Sequence, residues 1–358
     1  MASINGFYLV FTAASPGVIT IADMDDPLIY PAREGLYCAA GDFYVDPWRP
    51  VPRAVITHAH ADHARSGSAR YWAHHQSVPI LRHRLGRQHH FEALDYGESR
   101  RFGPVRVSLH PAGHVLGSAQ VRLAHDDGRV WVVTGDFKRD PDPTCAPFEV
   151  VPCDTLITES TFALPCYRWP PVEEVAADIG RWWDDHPDRP CILFTYAFGK
   201  AQRVLAALAE RPEHAGRTVY LHGAMVALTE LYRRAGVPML ATAPVSALPR
   251  QHDFSGELIL APPSAAGSPW MRRFKNASTG FASGWMRIRG NRRRRGYDYG
   301  FELSDHADWP ALLRTVRESG ARTVLTTHGR SDELVRYLNE EEGIEARALS
   351  TLYGGEGD

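Results

Sequence analysis

The segment "AVITHAHADHARSG" places His58, His60, Asp62 and His63 directly behind a short apolar run. Four imidazole and carboxylate donors within six positions is the densest chemical signal in the chain. A strand ending in such a turn can aim His58 and His60 at one metal and Asp62 and His63 at a neighbour. That donor mixture suits zinc, manganese or iron. Two cations about 4 Å apart lower the pKa of a water and clamp the oxygens of an attacked phosphate.

More donors follow at the ends of later apolar runs. His114 sits between glycines in "PAGHVLG". Asp136 ends "VWVVTGD", and its two oxygens could serve both metals. His328 ends "TVLTTH". The expected metal set is therefore His58, His60 and His114 on one ion, Asp62, His63 and His328 on the other, with Asp136 bridging. Three further residues read as supporting. Asp46 in "FYVDPW" is preferred to Asp42 because a strand leads into it. Glu159 ends "TLITE" and can hold an imidazole in place. His306 in "LSDHAD" precedes a helical stretch and can donate a proton to a departing oxygen, with Asp305 and Asp308 flanking its ring. The expected catalytic set is Asp46, Asp62, Asp136, Glu159 and His306. His74, His75, His83, His89, His90, His110 and His125 lack such settings and read as solvated or structural.

Positioning these groups requires strands that end at one edge. "AVITH", "VRVSLHPA", "SAQVRLA", "WVVTGD" and "TLITEST" alternate with turns, and short helices are expected over 64–74 and 79–90. After "YRWPP" the texture changes. Val172, Val175, Ala176, Ile179 and Trp182 fall on one helical stripe behind a proline start. "CILFTYAFGKAQRVLAALAER" and "TVYLHGAMVALTELYRRAG" each read as strand, turn and helix. The chain thus divides into a strand-rich α/β unit over 1–164, an inserted α/β unit over 165–295, and a return to the first unit over 296–358. Residues 1–25 read as an extension or an added strand, with Met24 as an alternative start.

Composition bounds the alternatives. The chain has 358 residues, an apolar fraction of 44% and a formal charge of -2. A large core is therefore available, and no global charge draws nucleic acid. No apolar run approaches the roughly 20 residues of a membrane span. The five cysteines, Cys38, Cys145, Cys153, Cys166 and Cys191, form no CxxC pair and read as mostly buried thiols of a reducing, cytoplasmic setting. One local feature departs from neutrality. "RIRGNRRRR" holds Arg287, Arg289, Arg292, Arg293, Arg294 and Arg295, and could track phosphates, with Trp285, Tyr297 and Tyr299 beside it. "FGKAQR" lacks the Walker A pattern, so ATP binding is not inferred.

The ordered set "YVDPWRP", "HAHADH", "PAGH", "TGD", "ITEST", "LSDHAD" and "TTHG" resembles the β-CASP branch of the metallo-β-lactamase fold. Within it the wording is similar to the bacterial ligase-associated DNA exonuclease group. The resemblance covers about residues 34–355. It implies an αββα sandwich with an inserted β-CASP domain and two divalent ions, Zn²⁺ and/or Mn²⁺. It also implies DNA exonuclease action in repair, 5′-to-3′, with a DNA ligase and a helicase as partners. An RNA-processing nuclease of the same fold is the first alternative, since a histidine at the position of His328 is shared with RNA-processing members. A non-catalytic nucleic-acid-binding module is the second.

Overall fold

A computed structural model of the chain describes residues 18–19, 26–288, 296–329, 331–349 and 351. The described chain begins with a two-residue strand, β1 (Val18–Ile19). Six strands then form one sheet in chain order: β2 (Tyr30–Pro31), β3 (Leu36–Cys38), β4 (Phe43–Val45), β5 (Arg53–Val55), β6 (Arg70–His74) and β7 (His90–Leu94). From β4 to β7 the pairing is parallel. Helix α1 (Ser77–Leu85) makes the crossover between β6 and β7.

A second sheet is built from β8 (Ser99–Phe102), β9 (Val105–Pro111), β10 (Ala119–His125), β11 (Val130–Val133) and β12 (Thr155–Ser160). It is completed much later by β19 (Thr323–Gly329) and β20 (Glu345–Leu349), in the order β1-β20-β19-β12-β11-β10-β9-β8. The two sheets pack face to face. Leu36, Phe43, Val45, Val55 and Trp72 of the first meet Val107, Leu109, Val121, Trp131 and Ile157 of the second in one buried cluster. This is the geometry that strands with one apolar face require.

The intervening chain makes a third sheet, wholly parallel, of β13 (Cys191–Phe194), β14 (Thr218–Leu221), β15 (Ala241–Pro244), β16 (Leu258–Ala261), β17 (Ser278–Ala282) and β18 (Tyr299–Phe301). Its central strands "CILF" and "LILA" are buried at every position, as expected where both faces are covered. Helices α2 (Val172–Asp184), α3 (Lys200–Ala209) and α4 (Gly223–Arg234) flank it. Val175, Ala176, Ile179, Leu205 and Met225 share a core with Ile80 and Leu81 of α1, so the third sheet's helices close the outer face of the first sheet. Helices α5 (Trp309–Ser319) and α6 (Asp332–Glu340) cover the outer face of the second sheet through Leu312, Val316, Leu334 and Leu338. The architecture is an αββα sandwich with an inserted α/β unit, as the sequence implies, and the inserted unit's sheet runs on to Phe301.

Two expectations fail locally. Residues 70–74 are a strand, not part of a helix over 64–74. Four of its five positions are buried between two parallel neighbours, which overrides any helical preference. The cysteines are also less buried than expected. Only Cys38 and Cys191 are buried, and Cys166 is exposed.

Candidate metal centre

The donors converge because the strands of both sheets end at one edge. Thr57 to His63 follow β5, His114 lies in the β9–β10 turn, Asp136 follows β11, Glu159 is the last residue but one of β12 and His328 lies near the end of β19. Two backbone devices aim them. Gly135, at φ +56°, lies so close to Thr57 that a Cβ would stand 2.7 Å from its side chain. A register shift between Glu159 and Ser160 opposite β19 leaves His328 left-handed, at φ 56°. Bulges of this kind re-aim side chains beside sites.

Two compact donor groups result. His58, His60, His114 and Asp136 form one, and Asp62, His63 and His328 the other, each with ligand atoms within 4.8 Å of one another. Oδ2 of Asp136 lies between them, 3.4 Å from His58 Nε2, 3.4 Å from His63 Nε2 and 3.7 Å from His114 Nε2. The structure thus brings together all seven residues expected as ligands. Asp136, Glu159 and His306 form a third group alongside.

The partners of the outward ring nitrogens fix the tautomers. Thr57 gives its only hydroxyl proton to Asp46 at 2.5 Å, so His58 Nδ1, at 3.0 Å from that oxygen, must be the donor. His63 Nδ1 faces Asp46 at 2.7 Å. A carbonyl can only accept, so His114 Nδ1 donates to the Asp305 carbonyl at 2.8 Å and His60 Nε2 to the Phe198 carbonyl at 3.3 Å. His60 Nδ1 and His114 Nε2 then present lone pairs to each other across 3.1 Å. Two lone pairs at that distance repel unless a cation sits against both. His58 Nε2 and Asp136 Oδ1 are buried with no hydrogen bond among the described residues. A divalent ion supplies what these atoms lack, so the donor set fits one.

The charge balance has the same form. Burial opposes protonation of His63, but Asp136, Asp62 and Asp46 outweigh it and hold its pKa well above the ordinary value. Burial and the neighbouring His63 hold His58 well below it. Burial and His306 do the same to His114, and burial and His63 push His328 down to about 3. Burial would raise the Asp136 carboxyl, but His63 and His306 keep it well below the usual range. His58, His114 and His328 are thereby neutral beside an ionised Asp136, the states that metal binding demands, whereas His63 carries a proton that a bound ion would displace.

Glu159 bridges the backbone N–H of Phe137, at 2.8 Å, and His306 Nδ1, at 2.9 Å. It is Glu159, therefore, that orients the His306 ring, and not the flanking aspartates. Asp308 instead caps α5 through Ala311 N and accepts from Trp169 N. The Asp305 carboxylate faces Arg203 at 3.0 Å and Lys200 at 3.5 Å, and Arg203 also pairs with Asp142. All four side chains are buried. The pairing of Asp305 with Lys200 and Arg203, and of Arg203 with Asp142, was not anticipated from the sequence, nor were the carbonyls of Phe198 and Asp305. Asp42 is exposed and pairs with Arg53, away from the donors, whereas Asp46 is buried among them. Of the arginine cluster, Arg287 pairs with Glu302 at 3.0 Å, while Arg289 and Arg292 to Arg295 lie outside the described residues. Trp285 packs on Phe162, and Tyr297 stacks on Phe281. No helix among the described residues is long and apolar enough to cross a membrane.

No family model matches the chain. Among curated proteins it is similar to a probable DNA ligase of Opitutus terrae, 31% identical over 323 residues, which covers 88% of this chain and 30% of the ligase. It is also similar to the transcription termination factor FttA of Methanothermobacter thermautotrophicus, 31% identical over 180 residues, covering 40% of this chain and 27% of that factor. An endoribonuclease of Neurospora crassa is 32% identical over 122 residues, covering 33% of this chain and 14% of the enzyme. The chain thus spans less than a third of each of these relatives. A solved structure of a protein of unknown function from Enterococcus faecalis superposes with a TM-score of 0.55 at 14% identity, covering 85% of this chain and 80% of that one.

Proposed function

The fold is that of the metallo-β-lactamases with an inserted β-CASP unit, and the relatives support its nuclease branch; from that premise we propose that the chain is a two-metal DNA exonuclease of the ligase-associated kind. The observation that carries the phosphodiesterase reading is Asp136, whose Oδ2 stands 3.4 Å from a histidine of each donor group. His58, His60 and His114 would hold one ion, Asp62, His63 and His328 the other, and Asp136 both. The donor types suit Zn²⁺ or Mn²⁺. When bound, the pair supplies an acidified water and positive charge for the transition state.

The residues of the chain do the rest. Asp46, Thr57 and the carbonyls of Phe198 and Asp305 keep the imidazole lone pairs turned inward. His306, held by Glu159 and outside both ligand sets, is placed to give a proton to the leaving oxygen, contributing about 10²–10⁴-fold. DNA is favoured over RNA because the ligase similarity spans most of the chain and the endoribonuclease similarity a third of it. That relative is named a probable DNA ligase, so ligation is the reaction we propose to work beside this one, together with a helicase that opens the ends. The 5′-to-3′ direction rests on the sequence resemblance alone.

The test is hydrolysis of end-labelled single-stranded DNA, double-stranded DNA and RNA with Mn²⁺ or Zn²⁺. Mononucleotides released from the 5′ end of DNA are expected. Internal cleavage of RNA without DNA hydrolysis would establish the RNA-processing alternative, which the transcription-factor and endoribonuclease relatives favour. Binding without hydrolysis under every ion would leave only a binding module.

A further inference from the structure

Residues 63–91 carry five arginines and no Asp or Glu, in a chain whose formal charge is -2. The run begins at His63, within the metal turn. One of the five, Arg70, is paired with Glu92 at 3.6 Å. Arg65, Arg82 and Arg87 are exposed and have no carboxylate partner among the described residues. Arg84 is half-buried.

The fold gathers these residues on one surface. The Tyr71 hydroxyl donates to the Arg65 carbonyl at 2.7 Å. Tyr71 stacks on Phe91 with centroids 5.1 Å apart, and Arg82 Cζ lies 5.9 Å from the Phe91 ring. Ser66 touches the Leu85 carbonyl and, at 2.8 Å, His89, which ties the metal turn to the end of α1 beside Arg87. The surface reaches the donors through Arg84, whose Cζ is 6.0 Å from the Phe198 ring, itself 4.9 Å from the ring of His60.

A helix C-terminus favours cations, which accounts in part for Arg82, His83 and Arg84 in the last turn of α1. It does not account for Arg65 on another element, nor for Arg65, Arg82 and Arg87 having no carboxylate partner among the described residues. An uncompensated cationic strip that leads into a phosphodiester-cleaving centre fits a polyanion whose charges repeat along a backbone. We propose that Arg65, Arg82, Arg84 and Arg87 form the track on which the nucleic-acid backbone runs to or from the metal centre. This rests on the phosphodiesterase reading and adds the path of the strand.

The probe is a fluorescent oligodeoxynucleotide with a phosphorothioate backbone that resists hydrolysis, titrated at salt from about 50 to 200 mM onto the metal-loaded full chain. The variants are Arg65→Gln and the pair Arg82→Gln with Arg87→Gln. The control pair is Arg314→Gln with Arg322→Gln, exposed arginines on and just after α5 that carry the same charge change. Each lost phosphate contact lowers the salt slope for a single strand by about 0.7, so the Arg82/Arg87 pair should lose about 1.4 and bind roughly tenfold or more weakly near 100 mM. Metal content should match the wild type, and the control should keep the wild-type slope. A wild type that binds with unchanged slope in all variants overturns the track and leaves the phosphodiesterase reading standing. A wild type that neither binds nor cleaves any strand overturns both.

Discussion

Replacing Asp46 by Asn isolates one link in the chain of support behind the metal centre. Asp46 is buried and accepts from Thr57 N at 2.7 Å and Thr57 Oγ1 at 2.5 Å, and it faces His63 Nδ1 at 2.7 Å. Its backbone is left-handed, at φ 43°. Asn tolerates that region about as well as Asp, so the substitution changes hydrogen-bond polarity and charge without adding strain, as Ala would. The Asn oxygen can keep the Thr57 N–H. Its NH₂ group then faces His63 Nδ1 and donates to it. The imidazole proton moves to Nε2, the atom 3.4 Å from Asp136 Oδ2 that should be offering a lone pair. The ring also loses one of the three carboxylate charges that keep it basic against burial.

Loss of such an outer partner costs about 10–100-fold in metal affinity, or roughly 1.4–2.7 kcal/mol. It should fall first on the site of Asp62, His63 and His328, and more weakly, through the Thr57 hydroxyl, on His58 of the other site. The tautomers of His60 and His114 are set by carbonyls that Asp46 does not touch. The assay is elemental analysis of dialysed protein followed by titration with a competing chelator. One equivalent should be released at about 10–100-fold lower chelator strength, and the other should weaken less, because only His58 of its three imidazoles depends on Asp46. Retention of both at wild-type affinity would refute the tautomer argument, and equal loss of both would make Asp46 a support for the whole turn.

Asp136→Ala should differ from this by weakening both equivalents together in the same titration, because Oδ2 stands between the two groups. His306→Ala should keep both metals and slow cleavage by about 10²–10⁴-fold, measured as single-turnover rate with metal content checked in the same sample. The buried His74, stacked on Tyr96 with centroids 3.6 Å apart, has its pKa pushed down to about 4 by burial and by His75. Its neutral form therefore contributes stability that is complete above about pH 6.5 and is lost as pH falls toward 4. His74→Phe keeps the stack and should flatten the fall in urea midpoint over that window, and equal slopes in both proteins would count against it.

The clustering of the candidate donors was legible because each is a side chain of distinctive chemistry at or near the end of an apolar run. His58 to His63 announce themselves by density, and Asp136 and His328 by following strands. Thr57 was hidden by being one more β-branched residue of the apolar run that leads into the turn, although its hydroxyl links Asp46 to His58. The carbonyls of Phe198 and Asp305 have no side-chain signature at all, since any residue supplies one. Arg203, Lys200, Asp142 and Asp305 are scattered through the chain, and only the folded arrangement reveals four charges sealed together. The strand at Arg70–His74 was misread because parallel neighbours on both sides, invisible locally, decide its conformation. Histidine types alone also could not separate the buried His74 from the exposed His75 beside it.

Those hidden residues make the inserted unit part of the support of the candidate metal centre. The turn between β13 and α3 supplies the carbonyl for His60, and α3 supplies Lys200 and Arg203 to hold Asp305, whose carbonyl serves His114. Both imidazoles can turn their lone pairs to a cation only while that turn is docked. By reciprocity, a bound ion must favour the docked state. An ion held at 100 times its dissociation constant stabilises the folded form by about 2.7 kcal/mol. Chelation should therefore raise amide hydrogen exchange not only in the turn holding His58 to His63 but also in the first turn of α3, where Arg203 N bonds the Gly199 carbonyl at 3.0 Å. Exchange in α6, which packs on the far face of the second sheet, should change little. An α3 that is indifferent to chelator while the His58–His63 turn loosens would show that the inserted unit only neighbours the metals and does not help to hold them.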